Sequence, residues 1–197
     1  MKQERAQQTH QALLRAAAVE FDQHGYTGTS LARISQAAGV TMGALTFHFA
    51  SKAALADAVR AEAAALTRAA LAGVAEGEAH AAAGLTDLLT RLLQEEPGVR
   101  AAARLSWEQP EAAGNWYTSW LPTLRSALTR DQQASDAEHG LGARELEVLA
   151  YCLVTGAESV RRGVVTPPGA TPERGEEIRQ DLQRIWQRAL AGPADRN

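Results

Sequence analysis

The residues of this sequence that could do covalent or metal chemistry are not arranged to do it. Cys152 lies between Tyr151 and Leu153 in a helical stretch, with no histidine or aspartate placed to activate it, so inert packing is its expected role. Glu95 and Glu96 read as a solvated helix end, not a paired acid and base. The histidines at 10, 24, 48, 80 and 139 lack the spacing of metal ligands, and neither G-x-G-x-x-G nor a P-loop occurs. Neither an enzyme nor a bound metal or cofactor is expected.

Two other constellations remain. From Ser30 to Lys52 the chain reads SLARISQAAGVTMGALTFHFASK. Leu31, Ile34 and Ala38 recur on one helical face, and Gly39-Val40 interrupts them where a left-handed residue reverses the chain. Thr41 can cap the next helix with its hydroxyl, and Gly43-Ala44 keep that helix slim enough to approach a neighbouring helix or a duplex. This is a helix-turn-helix pattern, which a purely structural three-helix unit would also satisfy. The second constellation is aromatic. Trp107, Trp116, Tyr117 and Trp120 lie close together in sequence, and aromatic side chains beside small ones make apolar pockets, although tryptophans on a helix face also serve simply as core. Thr155 could bond a ligand carbonyl or hydroxyl, or equally its own i−4 carbonyl.

The elements that must position these residues are helical. Alanine is abundant, no β-branched alternating run occurs, and proline and glycine cluster between periodic segments. A first helix is expected from about Thr9 to Gly25, with Thr29 or Ser30 capping the second and Ser51 capping a long fourth. Leu85, Leu88, Leu89, Leu92 and Leu93 predict an amphipathic helix that stops at Pro97, and a shorter helix follows to Trp107. Trp116, Trp120, Leu124 and Leu128 predict a helix face with Pro122 in its first turns. Leu146, Leu149, Leu153, Ala157 and Val160 predict a helix over 143–164, and Ile178, Leu182, Ile185 and Ala189 a last one with Trp186 and Leu190 widening its stripe. The fold class is therefore all-α: a three-helix head over 1–54 and a larger bundle over 55–197, about nine helices in total. The broad stripes of the last two helices suggest a partner subunit, with burial in the body's own core as the alternative.

Net charge is −3, unevenly spread: residues 1–60 hold six Lys/Arg against four acids, +2, which leaves −5 for residues 61–197. A nucleic-acid surface, if present, belongs to the head. With one cysteine, no apolar run of about 18 residues and no signal-peptide pattern at the start, a soluble cytoplasmic protein without membrane contact is expected.

Through AAAVEFDQHGYTGTSLARISQAAGV and GVTMGALTFHFASKAAL the first 60 residues resemble the TetR family of bacterial repressors. Phe47-His48-Phe49, ERAQQTHQALLRAA and WYTSW are similar to its γ-butyrolactone receptors. The resemblance implies a homodimer on a pseudopalindromic double-stranded operator, released by a small hydrophobic effector and controlling secondary metabolism. It implies base reading from Thr41, Met42, Gly43, Ala44 and onward through Thr46 to His48. His48 and Lys52 are then the phosphate contacts by position, with Ser30 and Thr41 as hydroxyl donors. It places an effector-contacting tryptophan at Trp120, with Trp116, Trp107, Tyr117 and Thr155 completing the candidate pocket. Two departures stand out: family members commonly carry lysine where this chain has Met42 and tyrosine where it has Thr46. Losing a cationic contact predicts a shallower salt dependence, by about one unit of slope. A helix-turn-helix module without a small-molecule ligand is the rival reading.

Overall fold

A computed structural model describes residues 2–74, 81–134 and 141–163, together with residues 180, 181, 184, 185, 188 and 189. Its described residues form eight α-helices, one 3-10 turn and further helical residues between 180 and 189. Their contacts separate into two groups: residues 1–67 with 96–119, and residues 68–95 with 120–197.

In the first group, α1 (Lys2–Gly28), α2 (Leu31–Ala37), α3 (Met42–His48), the first part of α4 (Lys52–Ala72) and α6 (Pro97–Glu108) surround one core. Leu13, Ala17 and Phe21 of α1 meet Ile34, Leu45, Leu55 and, from α6, Ala101 and Leu105, all buried without measurable exposure. Emptying such a position typically costs about 2–5 kcal/mol. Helix α1 starts at Lys2, a full two turns earlier than its apolar stripe indicates. The leading KQERAQQ consists of good helix formers, with Glu4 placed against the dipole of the first turn. Thr9 caps nothing: its hydroxyl donates to the Arg5 carbonyl inside the helix, at 2.9 Å. Gly25 breaks the helical geometry at φ 71°, and a last turn follows to Gly28.

Three capping positions hold the head in register. Ser30 Oγ accepts the Arg33 N–H, Thr41 Oγ1 the Ala44 N–H and Ser51 Oγ the Ala54 N–H, at 3.3, 3.2 and 3.1 Å. Gly39 takes φ 67°, and its N–H and that of Val40 close the end of α2 onto the Gln36 and Ser35 carbonyls.

The second group contains α5 (Ala81–Glu95), α7 (Leu121–Ala134) and α8 (Ala143–Arg161). Asp131 of α7 caps α5 by accepting the N–H groups of Ala81 and Ala82 at 3.2 and 3.0 Å. Arg125 of α7 grips Glu147 of α8 through two hydrogen bonds of 2.9 and 2.6 Å. The single helix expected through Trp116 and Trp120 is two elements, a 3-10 turn at Trp116–Ser119 and α7. Pro122 is tolerated only in a first turn, so α7 cannot extend further back. The buried stripe of α8 also differs from expectation. Leu146, Ala150, Val154 and Glu158 are buried, whereas Leu149, Leu153, Ala157 and Val160 are half-buried and Val148 is exposed. Glu158 is paired with Arg162 at 3.2 Å. Ile178, Leu182, Trp186 and Leu190 lie outside the described residues.

Candidate nucleic-acid interface and aromatic cluster

Helix α3 is anchored from beneath by Leu45 and Phe49, and it turns its other face outward. Met42 is 41 % and Phe47 83 % exposed; Gly43 is exposed and Ala44 half-buried. Phe47 lies within the expected reading stretch, Thr41 to His48, and is its most exposed large apolar side chain. The helical period accounts for its exposure: two residues beyond Leu45 is about 200° around the helix, away from the buried side. His48 is half-buried, with its ring edge-on to Phe47 and His10 at 5.3 and 5.7 Å, and His10 stacks on Phe49 at 4.8 Å.

The polar residues around α3 divide by what their donors already do. Ser30 and Thr41 act as acceptors in their caps, so each hydroxyl hydrogen can still turn outward to a phosphate oxygen. Thr46 donates back to the Met42 and Gly43 carbonyls at 3.1 and 3.2 Å. Lys52 donates to the carbonyls of Tyr26 and Thr29 at 2.9 and 3.0 Å, and its ammonium lies 4.3 Å from the Tyr26 ring centre. It therefore clasps the α1–α2 connection while leaving its charge near the head surface.

Helix α6 holds the same connection from the other side. Arg100 pairs with Asp22 at 2.6 Å and Arg104 donates to the Asp22 carbonyl at 2.8 Å. Glu108 receives both Arg104, at 2.6 Å, and the Tyr26 N–H, at 2.6 Å. A Cβ at Gly25 would collide with the Glu108 carboxylate and the Arg104 guanidinium. Arg60, buried on α4, ties down the loop after α6 through the Ala113 carbonyl and Gln109 at 3.2 and 3.1 Å.

The aromatic residues differ in burial and in the partners of their polar groups. Trp116 is fully buried, with Nε1 donating to Thr67 Oγ1 at 2.9 Å and its backbone N–H to Ser106 Oγ at 3.0 Å. Tyr117 packs against it at 5.2 Å between ring centres and accepts the Trp107 Nε1–H at 2.7 Å. Trp107 is half exposed. Trp120 is fully buried but belongs to the second contact group. The Thr155 hydroxyl donates to the Tyr151 carbonyl at 2.6 Å, which is the local alternative for that residue. None of the five lines the cleft of about 290 Å³ that opens between α1, α4 and the start of α6. Among the described residues there is no cluster of three or more metal-ligating side chains, and no helix is long and apolar enough to cross a membrane.

A capped helix, a glycine reversal and a second capped helix with an exposed face define a helix-turn-helix unit, the build of many DNA-binding regulators. The family described as bacterial regulatory proteins, tetR family, matches residues 13–59. The A-factor receptor protein of Streptomyces griseus is 50% identical over 58 residues, 29% of this chain and 21% of that protein. The chain thus spans about a fifth of that relative's length in the matched region. Over nearly the whole chain it is similar to the solved structure of the TetR family protein CprB from S. coelicolor A3(2). The identity is 30%, the coverage 92% of this chain and 87% of that one, and the TM-score 0.72. A solved γ-butyrolactone receptor, described as an ArpA-like protein, shares 29% identity over 92% of this chain and 98% of that one, with a TM-score of 0.67. The chain belongs to the TetR family, and within it resembles the γ-butyrolactone receptors; it is a transcriptional regulator and not an enzyme.

Proposed function

We propose that this regulator is a repressor that binds a pseudopalindromic operator as a homodimer and is released by a small hydrophobic effector, in the control of secondary metabolism. The observation that carries the DNA half is the outward face of α3, on which Met42 and Phe47 are exposed while Leu45 and Phe49 hold the helix to the head. Residues 1–54 would form the reading head and residues 55–197 the effector-binding and dimerising part. Thr41, Met42, Gly43 and Ala44 approach base edges, with apolar contact from Met42 to a thymine methyl. Ser30, Thr41, His48 and Lys52 hold phosphates, Lys52 through its charge, and Thr46 supports α3 from within. That CprB has been solved with its biological operator sequence supports this half; that structure has a TM-score of 0.74 and 29% identity over 98% of this chain and 92% of its own.

The effector half draws on the relatives, described as receptors of A-factor and of γ-butyrolactones. Trp120, with Trp116, Trp107, Tyr117 and Thr155, remains the proposed contact set. Dimerisation is supported by Val148 and Ile185, at 57 % and 44 % exposed on the two C-terminal helical segments. The proposed site of action is the cytoplasm. A gel shift of the purified protein on DNA upstream of its own gene, with and without an extract of the producing culture, tests both halves. Specific retention abolished by the extract is expected. Retention that the extract leaves unchanged would favour a helix-turn-helix module without a small-molecule ligand.

A further inference from the structure

The cleft between α1, α4 and the first turn of α6 has an aliphatic lining. Leu14 and Val19 of α1, Val59 and Leu66 of α4, and Pro97 and Val99 of α6 form its walls, and the small side chains of Ala18 and Ala63 leave the space between them. Val19 and Leu66 are each 38 % exposed, high for large apolar side chains on helices that otherwise bury theirs. The volume, about 290 Å³, is at the lower end of small-molecule sites. No aromatic ring lines it, which separates it in chemistry from the Trp107–Trp116–Tyr117 cluster.

Three charged residues border the cleft: Arg15, Glu62 and Glu96. Arg15 and Glu62 put charges of opposite sign at the rim, and Glu96 stands at the start of α6, where the helix dipole complements its charge. The charges stand at the rim and the walls are aliphatic, so burying an ionic ligand's own charge against them would be costly. We propose that this cleft is a binding site for a compact, uncharged aliphatic molecule, separate from the aromatic cluster. Its walls are the helices that hold the reading head, α1 and α4, and the helix that clamps Tyr26, α6, so an occupant would bear on the seating of α3.

The test is a titration of the full chain, labelled with ¹³C at leucine and valine methyls, with 1-hexanol, hexylammonium and hexanoate. Hexanol should shift the methyls of Leu14, Val19, Val59, Leu66 and Val99 saturably, with a millimolar Kd, and the two ions should bind at least about tenfold more weakly. Gly98→Leu should weaken hexanol binding about tenfold, because Gly98 lines the cleft and a Cβ there meets no other atom within 4 Å. If that variant loses its dispersed methyl spectrum, Ala63→Leu serves the same purpose. Equal binding of either ion would overturn the proposal. So would shifts confined to Leu124, Leu128 and Val154, and so would cleft methyls that shift with protein concentration alone, which would mean that a second copy of the chain covers the site.

Discussion

Lys52 donates to the Tyr26 carbonyl at 2.9 Å, and on the other side of the same residue Glu108 accepts the Tyr26 N–H at 2.6 Å. One residue beyond the break in α1 is thus held by a cation from the start of α4 and an anion from the end of α6, and the path of the chain into α2 depends on both. A half-buried charge-assisted hydrogen bond contributes about 1.5–3 kcal/mol. Lys52→Met, which keeps the apolar stem, is expected to lower the unfolding free energy of the DNA-free protein by an amount in that range, read as a lower urea midpoint at unchanged m. A residue serving only as a phosphate contact would leave the midpoint unchanged and alter only DNA affinity.

Gly25 should tolerate no side chain. Its φ of 71° is strained for any L-residue, and a Cβ would meet Glu108 and Arg104. Gly25→Ala is expected to destabilise the fold by about 1–3 kcal/mol in equilibrium unfolding. In a double-mutant cycle with Glu108→Ala, part of that loss should be recovered, since the shortened side chain removes the collision.

The departures on α3 bear on salt. Met42 brings no charge, and the Thr46 donor is engaged by the Met42 and Gly43 carbonyls. Met42→Lys should add one counterion-releasing contact per head and steepen the slope of log K against log salt by about one unit per head. Fluorescence anisotropy at several salt concentrations measures it, and an unchanged slope would mean that position 42 does not face the backbone.

The Arg125 hydrogen bond and charge hold the Glu147 carboxyl below its usual pKa. A carboxylate with a depressed folded pKa stabilises the fold above the unfolded value, 4.5, and loses that contribution as pH falls through the lowered one. Glu147→Gln should therefore lower Tm slightly at pH 7 and converge with the parent protein on acidification toward pH 3. Exposure and screening keep the effect small. A constant Tm difference across that range would contradict the linkage.

Much of the head is legible in the sequence because its determinants are local. Ser30, Thr41 and Ser51 are capping residues before periodic segments, and Gly39 sits where a reversal needs positive φ. What escapes is long-range or competitive. Nothing near Tyr26 announces Glu108, 82 residues away, or the seating of α6 against α1. Lys52 looks like a free surface cation until the two carbonyls it serves come together. The α8 stripe departs from the apolar pattern: Leu149, Leu153 and Val160 are more apolar than Ala150 or Glu158, yet the latter two are the buried ones.

The central claim is that paired α3 helices read DNA through their exposed face. Selection of bound sequences from a randomised duplex library, run in parallel with the parent protein and with Phe47→Ala, addresses it most directly. The parent protein is expected to enrich an inverted repeat with half-site centres about one helical turn, roughly 34 Å, or a multiple of that apart. Phe47→Ala should weaken the enrichment without lowering thermal stability, since Phe47 is 83 % exposed. Enrichment of no common sequence, or of an isolated half-site with no inverted partner, would contradict the account.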